Sequence, residues 1–286
     1  MKIVFITGAS SGIGCAAALD FARAGCHVIA GVRQISKGAY LEECARVENL
    51  NLTLASIDVT DDQSVHSAIE SIISRYKKID ILINNAGAGF LGTMEQTTLE
   101  QAQQVMNVNF FSVWRVTQAV FPTMRKNRSG RIITITSIGG LVGQPFNDAY
   151  CAAKFAIEGM MESLAPVAQR LGIHISLVEP GPVNSEFVDK TLQKAPELPS
   201  ELEHDYRACL ESYKQASVQS FANFGQTPGE ISKQLLVIAS ANRPDFRYQT
   251  SNLSRKVAAI KLADTQGNQV LKFAGSRLPE MAEVCS

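Results

Sequence analysis

Short apolar runs alternate with longer amphipathic stretches along most of this chain. Strand-like runs lie at Lys2–Thr7, His27–Val32, Leu52–Asp58, Ile79–Asn84, Arg131–Ser137, Ile173–Val178 and Phe246–Gln249. Most carry Ile and Val on both pleat faces, which is the pattern of parallel strands covered by helices on both sides. Helical patterns fill the intervals. Ile13–Ala24 ends at Gly25, a left-handed stop, and Asp62–Arg75 sets Val65, Ile69, Ile72 and Ile73 on one face. Two longer helices are predicted over Leu99–Arg125 and Tyr150–Leu171, with a kink or irregularity at Pro166. The β-α-β order predicts an α/β fold: a doubly wound parallel sheet with right-handed crossovers and a ligand site outside the strands' carboxyl ends.

Residues 183–230 break this rhythm. They hold Pro196, Pro199 and Pro228, six acidic residues between Glu186 and Asp205, and short helical pieces. Because they follow a strand's carboxyl end, they are read as a substrate lid. The tail from Ser251 gives little signal. The whole chain, 1–286, is expected to form one domain.

Composition narrows the function classes. Apolar residues are 45% and charged residues 19%, so a disordered chain is excluded. Lys plus Arg equals Asp plus Glu at 27 each, which removes the basic excess of a nucleic-acid or anionic-membrane binder. Six cysteines (15, 26, 44, 151, 209 and 285) and four histidines (His27, His66, His174 and His204) are dispersed, without zinc or CxxC spacing. No metal is expected, and unpaired thiols suit a reducing compartment. No run approaches the ~18 apolar residues of a membrane span. The N-terminus reaches Gly8 too soon for a signal peptide, and Cys285 lacks a CaaX context. The expectation is a cytoplasmic protein.

The segment Thr7-Gly8-Ala9-Ser10-Ser11-Gly12-Ile13-Gly14 joins the first strand to the first helix. Glycines there allow a tight turn and let backbone N–H groups approach a pyrophosphate at a helix N-terminus. The strand–turn–helix context points to a nucleotide site, although a bare glycine turn would give the same spacing. The second strand ends Ala30-Gly31-Val32-Arg33-Gln34, with no acid before Glu42. A carboxylate there would accept from a ribose 2′-hydroxyl, whereas Arg33 suits a 2′-phosphate, so the inferred cofactor is NADP(H).

Tyr150 has Lys154 one helical turn later. An ammonium beside a phenol favours the phenolate; moving Tyr from a pKa near ~10 to near ~7 takes roughly 4 kcal/mol, which Lys154 and the positive ring of an oxidised nicotinamide would supply together. Ser137 ends the fifth strand, where a hydroxyl would meet a substrate oxygen. Asn84-Asn85-Ala86-Gly87 ends the fourth, and Asn109 lies inside a predicted helix against its propensity.

Together, TGASSGIG, NNAG, the Ser137/Tyr150/Lys154 set and Pro180-Gly181-Pro182-Val183 resemble the short-chain dehydrogenase/reductase family over residues 2–185. The run from Gly140 to Cys151 and Glu179-Pro-Gly-Pro-Val are similar to its subgroup of 17β-hydroxysteroid dehydrogenase type 1 and photoreceptor retinol dehydrogenase. The resemblance implies a Rossmann-like fold. It makes Tyr150 the acid in reduction and the base in oxidation. Lys154 lowers its pKa and holds the nicotinamide ribose, Ser137 orients the carbonyl, and Asn109 holds a water in a proton relay. Gly8, Ser10, Ser11, Gly12, Ile13 and Gly14 would bind pyrophosphate, with Ser10, Ser11 and Arg33 near the 2′-phosphate. Asp58 and Val59 would meet adenine, Asn85, Ala86 and Gly87 the adenosine side, and Pro180, Gly181, Val183 and Ser185 the nicotinamide.

There are departures: Ala153 replaces a common serine, Ser112 a common glycine, and Ala216 rather than His204 falls where steroid enzymes carry a histidine. The last of these weighs against a steroid. The lid offers Phe187, Leu192, Tyr206, Leu210, Tyr213, Phe221 and Phe224, which suit a bulky lipophilic carbonyl or alcohol such as a retinoid, steroid or aryl ketone, or else anchor the lid to the core. The family implies a homodimer or homotetramer through the two long helices. The alternatives are a non-catalytic NADP(H)-binding regulator, disfavoured because all four catalytic positions are filled, and an epimerase or dehydratase, which needs a larger second domain.

Overall fold

A computed structural model describes residues 1–187, 191, 198–263 and 276, except the side chain of Glu203. Leu192, Pro196 and Cys285 lie outside the described residues. Seven strands, β1 (Ile3–Thr7), β2 (His27–Val32), β3 (Leu52–Ser56), β4 (Ile81–Asn84), β5 (Gly130–Ile135), β6 (Ile173–Glu179) and β7 (Arg247–Gln249), form one sheet in the order β3-β2-β1-β4-β5-β6-β7. Every neighbouring pair is parallel. The order reverses between β1 and β4, which is the switch point where such sheets open a ligand crevice.

The period of two in the strands sorts their side chains onto two cores. Val4, Ile6, Ala30, Ile83, Ile133 and Ile135 point to the face covered by α1 (Gly12–Arg23), α2 (Ala39–Val47) and α8 (Pro228–Ser240). Phe5, Ile29, Leu82, Ile132 and Ile175 point to the face covered by α3 (Asp62–Tyr76), α5 (Ser112–Asn127) and α6 (Asp148–Arg170). Both faces are buried at the centre of the sheet, so β1 and β4 are buried along their whole length, whereas the edge strands β3 and β7 are only partly buried. A third, small cluster joins α9 (Asn252–Ala263) to Ile138, Leu141 and Val142, just beyond β5.

Four local features depart from the periodicity. The predicted helix Leu99–Arg125 divides into α4 (Leu99–Met106), a π-turn (Asn107–Phe111) and α5. Ser112 N–H donates to the Asn107 carbonyl, five residues back, which admits the extra residue. Helix α6 continues through Pro166 to Arg170. Helices α2 and α9 carry too few buried apolar positions to register in the sequence. Helix α8 was legible in principle: Thr227 and Glu230 form a capping box around Pro228 at the first turn.

Ile132 is fully buried in the α3/α5/α6 core. Ile132→Ala is expected to lower the unfolding free energy by about 2–5 kcal/mol and Ile132→Val by about 0.5–1.5 kcal/mol, read from urea transitions.

Candidate functional site

The turn after β1 is shaped by contacts that leave no room for side chains. Gly8 has φ +67°, and a Cβ there would sit 2.8 Å from Ala86 Cα; a Cβ on Gly14 would overlap Asn85 Nδ2 and the Gly8 carbonyl. Asn85 holds the loop from the β4 side: Nδ2 donates to the carbonyls of Thr7 and Gly8, each at 2.9 Å. Asn85 N and Ala86 N in turn donate to Thr7 Oγ1. Ala9 N donates to Gly31 O, which ties the loop to the end of β2. Helix α1 begins at Gly12 with Ser11 extended, without a side-chain cap or an acid in its first turn. Its leading N–H groups therefore offer donors and positive partial charge to an anion. Ser10 is exposed, and Ser11, Gly12 and Ile13 are partly so. This narrow cradle, which excludes a Cβ at Gly8 and at Gly14, fits the pyrophosphate of a dinucleotide.

Arg33 is exposed just beyond β2. Asp58 lies near it across the end of β3. Thr60 donates to Asp58 Oδ1 from both backbone N and Oγ1, at 2.9 and 2.6 Å. These bonds, and more weakly the Arg33 charge, hold the Asp58 carboxyl below its ordinary range. Val59 beside it is half-buried.

Helix α6 closes on the end of β5 at three consecutive residues. Lys154 Nζ donates to Ile135 O at 3.1 Å. Thr136 Oγ1 donates to Glu158 Oε1 at 2.6 Å. The Ser137 hydroxyl bonds to the Tyr150 phenol, and Ser137 Oγ also accepts from Gly139 N at 3.0 Å. Desolvation pushes the Tyr150 phenol well above its ordinary value, and the Ser137 bond only partly offsets this. In the protein alone, Lys154 Nζ sits 5.7 Å from the Tyr150 ring centroid and donates to Ile135 O, and burial sets the direction of the shift. Burial also lowers Lys154 to about 8, against the opposing field of Glu158.

Asn109 is completely buried in the π-turn. Its Nδ2 donates to Ala88 O at 2.9 Å and Val105 O at 3.0 Å, and its Oδ1 accepts from Ala88 N at 3.1 Å. Both side-chain donors are spent on protein, so the amide braces the loop after β4. A Cβ on Gly87 would come within 2.8 Å of Asn109 Oδ1 and 3.8 Å of Lys154 Nζ, which brings the NNAG loop to the same spot.

The strand β6 exit completes the circle. Pro180 O accepts from Ile138 N at 2.9 Å, Val183 bridges to Gln226, and Ser185 Cβ would lie 3.6 Å from a Cβ on Gly12. Gly181 passes close to Ser254 on α9. The residues expected for pyrophosphate, the nicotinamide side and catalysis thus lie at the carboxyl ends of β1, β4, β5 and β6, around the β1/β4 switch point, with Arg33 beyond β2 and Asp58 and Val59 beyond β3.

Within the segment 183–230, α7 (Ser200–Phe224) follows Phe187, whose ring lies 6.2 Å from that of Tyr150. Tyr213 is buried and its hydroxyl accepts from Asn147 Nδ2 at 2.8 Å. Phe146 holds a left-handed backbone, φ +62°, unusual for an aromatic residue. Its ring packs against Tyr213 and Tyr206 at 5.7 and 6.5 Å, and its carbonyl accepts from Gly92 N. A cavity of about 320 Å³ opens here among Thr93, Met94, Phe146, Asp148, Tyr206 and Cys209. Leu210 and Phe221 are half-buried, Phe224 is exposed, His204 is exposed and Ala216 is half-buried.

The sequence reading missed the ion network behind the crevice. Arg247 of β7 pairs with Glu158 and Glu179, the latter at 3.1 Å, and with exposed Glu162 at 2.5 Å. Gln249 Nε2 donates to Glu179 Oε2 at 2.7 Å. An acid at i+4 from the lysine was a weak available signal; its partners on β6 and β7 had none.

Residues 2–196 match the family model for short chain dehydrogenases. This chain belongs to the short-chain dehydrogenase/reductase family. It is 37% identical over 273 residues to retinol dehydrogenase 8 of Bos taurus, covering 93% of this chain and 87% of that protein. It is 35% identical over 273 residues to 17-beta-hydroxysteroid dehydrogenase type 1 of Homo sapiens, covering 93% and 82%. The fold is also that of a short-chain dehydrogenase/reductase from Burkholderia phymatum solved in complex with NAD, with TM-score 0.78 at 21% identity over 92% of this chain and 93% of that one.

Glu158 is raised from 4.5 to about 7, chiefly by burial and by Glu179, against the bonds from Thr136 and Arg247. A raised carboxyl means that the folded state binds more protons than the unfolded one between these values, so this group makes stability fall as pH rises through that window. Lys154 acts oppositely between about 8 and 10.5, where its depressed value makes stability rise with pH. The expected outcome is a downward slope of unfolding free energy from pH 4.5 to 7 that flattens in Glu158→Gln, measured by urea unfolding across pH.

Proposed function

We propose that this family member is an NADP(H)-dependent carbonyl reductase or alcohol dehydrogenase acting on a bulky lipophilic ketone, aldehyde or alcohol such as a retinoid, steroid or aryl ketone. The observation that carries the reading is the meeting of Ser137, Tyr150 and Lys154 at the end of β5. This trio lies beside a cradle with no room for a Cβ. When bound, the nicotinamide supplies or accepts the hydride.

The chain's own residues supply the rest. Ser137 Oγ and Tyr150 Oη form a pair of hydroxyls toward a carbonyl oxygen. In reduction Tyr150 gives its proton to that oxygen, and its raised pKa keeps the proton in place at neutral pH. The Lys154 ammonium stabilises the phenolate left when that proton is given, and in oxidation this phenolate takes a proton back from the alcohol. Lys154 also reaches the Gly87 edge of the crevice, where a ribose would bind. Asn109 fixes that edge through Ala88.

Arg33 and the absence of an acid from Gln34 to Tyr40 support NADP(H) over NAD(H), a choice that the fold itself leaves open. Phe146, Phe187, Tyr206 and Tyr213 over the crevice support a lipophilic substrate under a lid. The names of the retinol and steroid relatives agree with this, and Ala216 weighs against a steroid. Exposed Phe111 at the end of the π-turn and Trp114 on α5, with Phe155 and Val167 on α6, support a homodimer or homotetramer through these helices. No helix among the described residues is long and apolar enough to cross a membrane; the proposed setting is cytoplasmic.

NADPH consumption with all-trans-retinal, estrone, aryl ketones and short aldehydes tests the reading. Tyr150→Phe is expected to lose on the order of 10²–10⁴-fold in kcat while still binding NADPH. Tight NADPH binding without turnover of any carbonyl would favour a regulator instead. Arg33→Ala is expected to raise the KM for NADPH on the order of tenfold or more and leave that for NADH nearly unchanged. Faster wild-type turnover with NADH would sink the Arg33 argument alone.

A further inference from the structure

Glu158 is 4% exposed and lies one helical turn beyond Lys154, itself 5% exposed. No ion pair joins the two among the described residues. Lys154 bonds to Ile135 O and Glu158 to the Thr136 hydroxyl, so the two side chains grip adjacent residues of the strand that ends in Ser137. Thr136 is held on its other side as well, its Oγ1 lying 3.2 Å from Val178 O on β6. The other Glu158 oxygen pairs with Arg247, which is shared with fully buried Glu179. The charged groups around Glu158 are therefore Lys154 and Glu162 on α6, Glu179 on β6 and Arg247 on β7; β5 offers only the Thr136 hydroxyl. Two buried carboxylates share one guanidinium, so the interior holds an unbalanced negative charge facing the Lys154 ammonium.

We propose that Glu158 is a positioning residue of the site: its carboxylate holds Lys154 in the ammonium form and, through Thr136, fixes the strand end that carries Ser137. The proposal rests on the functional reading above only for its kinetic consequence. Burying a lysine opposes its charge, and the nearby carboxylate is the group that counters this. Glu158 is ionised above about 7, the range in which the ammonium at about 8 begins to need support. The exposed rim carboxylate of Glu162 adds little, because solvent screens it.

The test follows the Lys154 side chain itself. Protein labelled with 13Cε-lysine is titrated by NMR, with Lys154→Arg used only to assign the resonance. In Glu158→Gln the Lys154 midpoint is expected to fall on the order of one to two pH units. Glu158→Asp, which keeps the charge, restores most of it. In the reductase assay the alkaline limb of kcat moves down with that midpoint, while the acid limb stays in place. Activity above the midpoint drops about tenfold for each pH unit by which the midpoint falls. If Glu158→Gln fails to fold, Thr136→Val serves in its place. It removes the bond that favours ionised Glu158 and is expected to shift the Lys154 midpoint in the same direction, by less. An unchanged Lys154 midpoint in the folded variant, with lowered thermal stability alone, would overturn the proposal. Wild-type protein that turns over no carbonyl would count against the functional reading only, since the Lys154 titration is read without turnover.

Discussion

The clasp between helix α6 and the last residues of strand β5 is the contact on which the rest depends. Ile135, Thr136 and Ser137 meet Lys154, Glu158 and Tyr150 respectively. A strand advances about 3.3 Å per residue and a helix about 5.4 Å per turn, so one helix face spans successive strand residues only where the strand ends and the chain turns toward it. The short 3₁₀ turn after Ser137 makes that approach possible. The same turn packs on α9 through Ile138, Leu141 and Val142, so the site is anchored to a distant part of the chain.

Placing that clasp inside the molecule has an electrostatic cost. Each buried charge loses hydration and is tolerated only with close partners. Arg247 and Gln249 bring these partners from β7, the edge strand added after α7 and α8. A three-residue strand thus matters more for the charges it delivers than for its ladder. Glu158 shows the incomplete balance in its raised pKa, and Lys154 shows it in its lowered one.

Between α7 and the loops after β4 and β5, aromatic packing and hydrogen bonds act together. Phe146 keeps a left-handed backbone at a cost of order 1–3 kcal/mol, offset by its ring contacts to Tyr206 and Tyr213 and by the bond from Gly92. Helix α7 and the loop after β4 are therefore coupled through one residue. Asn109 adds a second tie on the opposite wall, where the π-turn turns its amide onto Ala88.

The sequence by itself determined the sheet. Runs such as Ile132-Ile133-Thr134-Ile135 are apolar on both faces, and only a strand covered on both sides satisfies that. It also marked the glycine turn at Gly8–Gly14 and the Ser137, Tyr150 and Lys154 set, because their spacing is local or has a familiar form. The tertiary structure alone decided what depends on distant partners. The break of the long helix at Asn107–Phe111 comes from Asn109 bonding to a loop 21 residues away. The rise of the Tyr150 pKa comes from desolvation by the surrounding chain, and the Glu158–Arg247 pair joins residues 89 apart. Periodicity reports which face of an element is buried; it carries no record of which charge or amide will be opposite once the layers close.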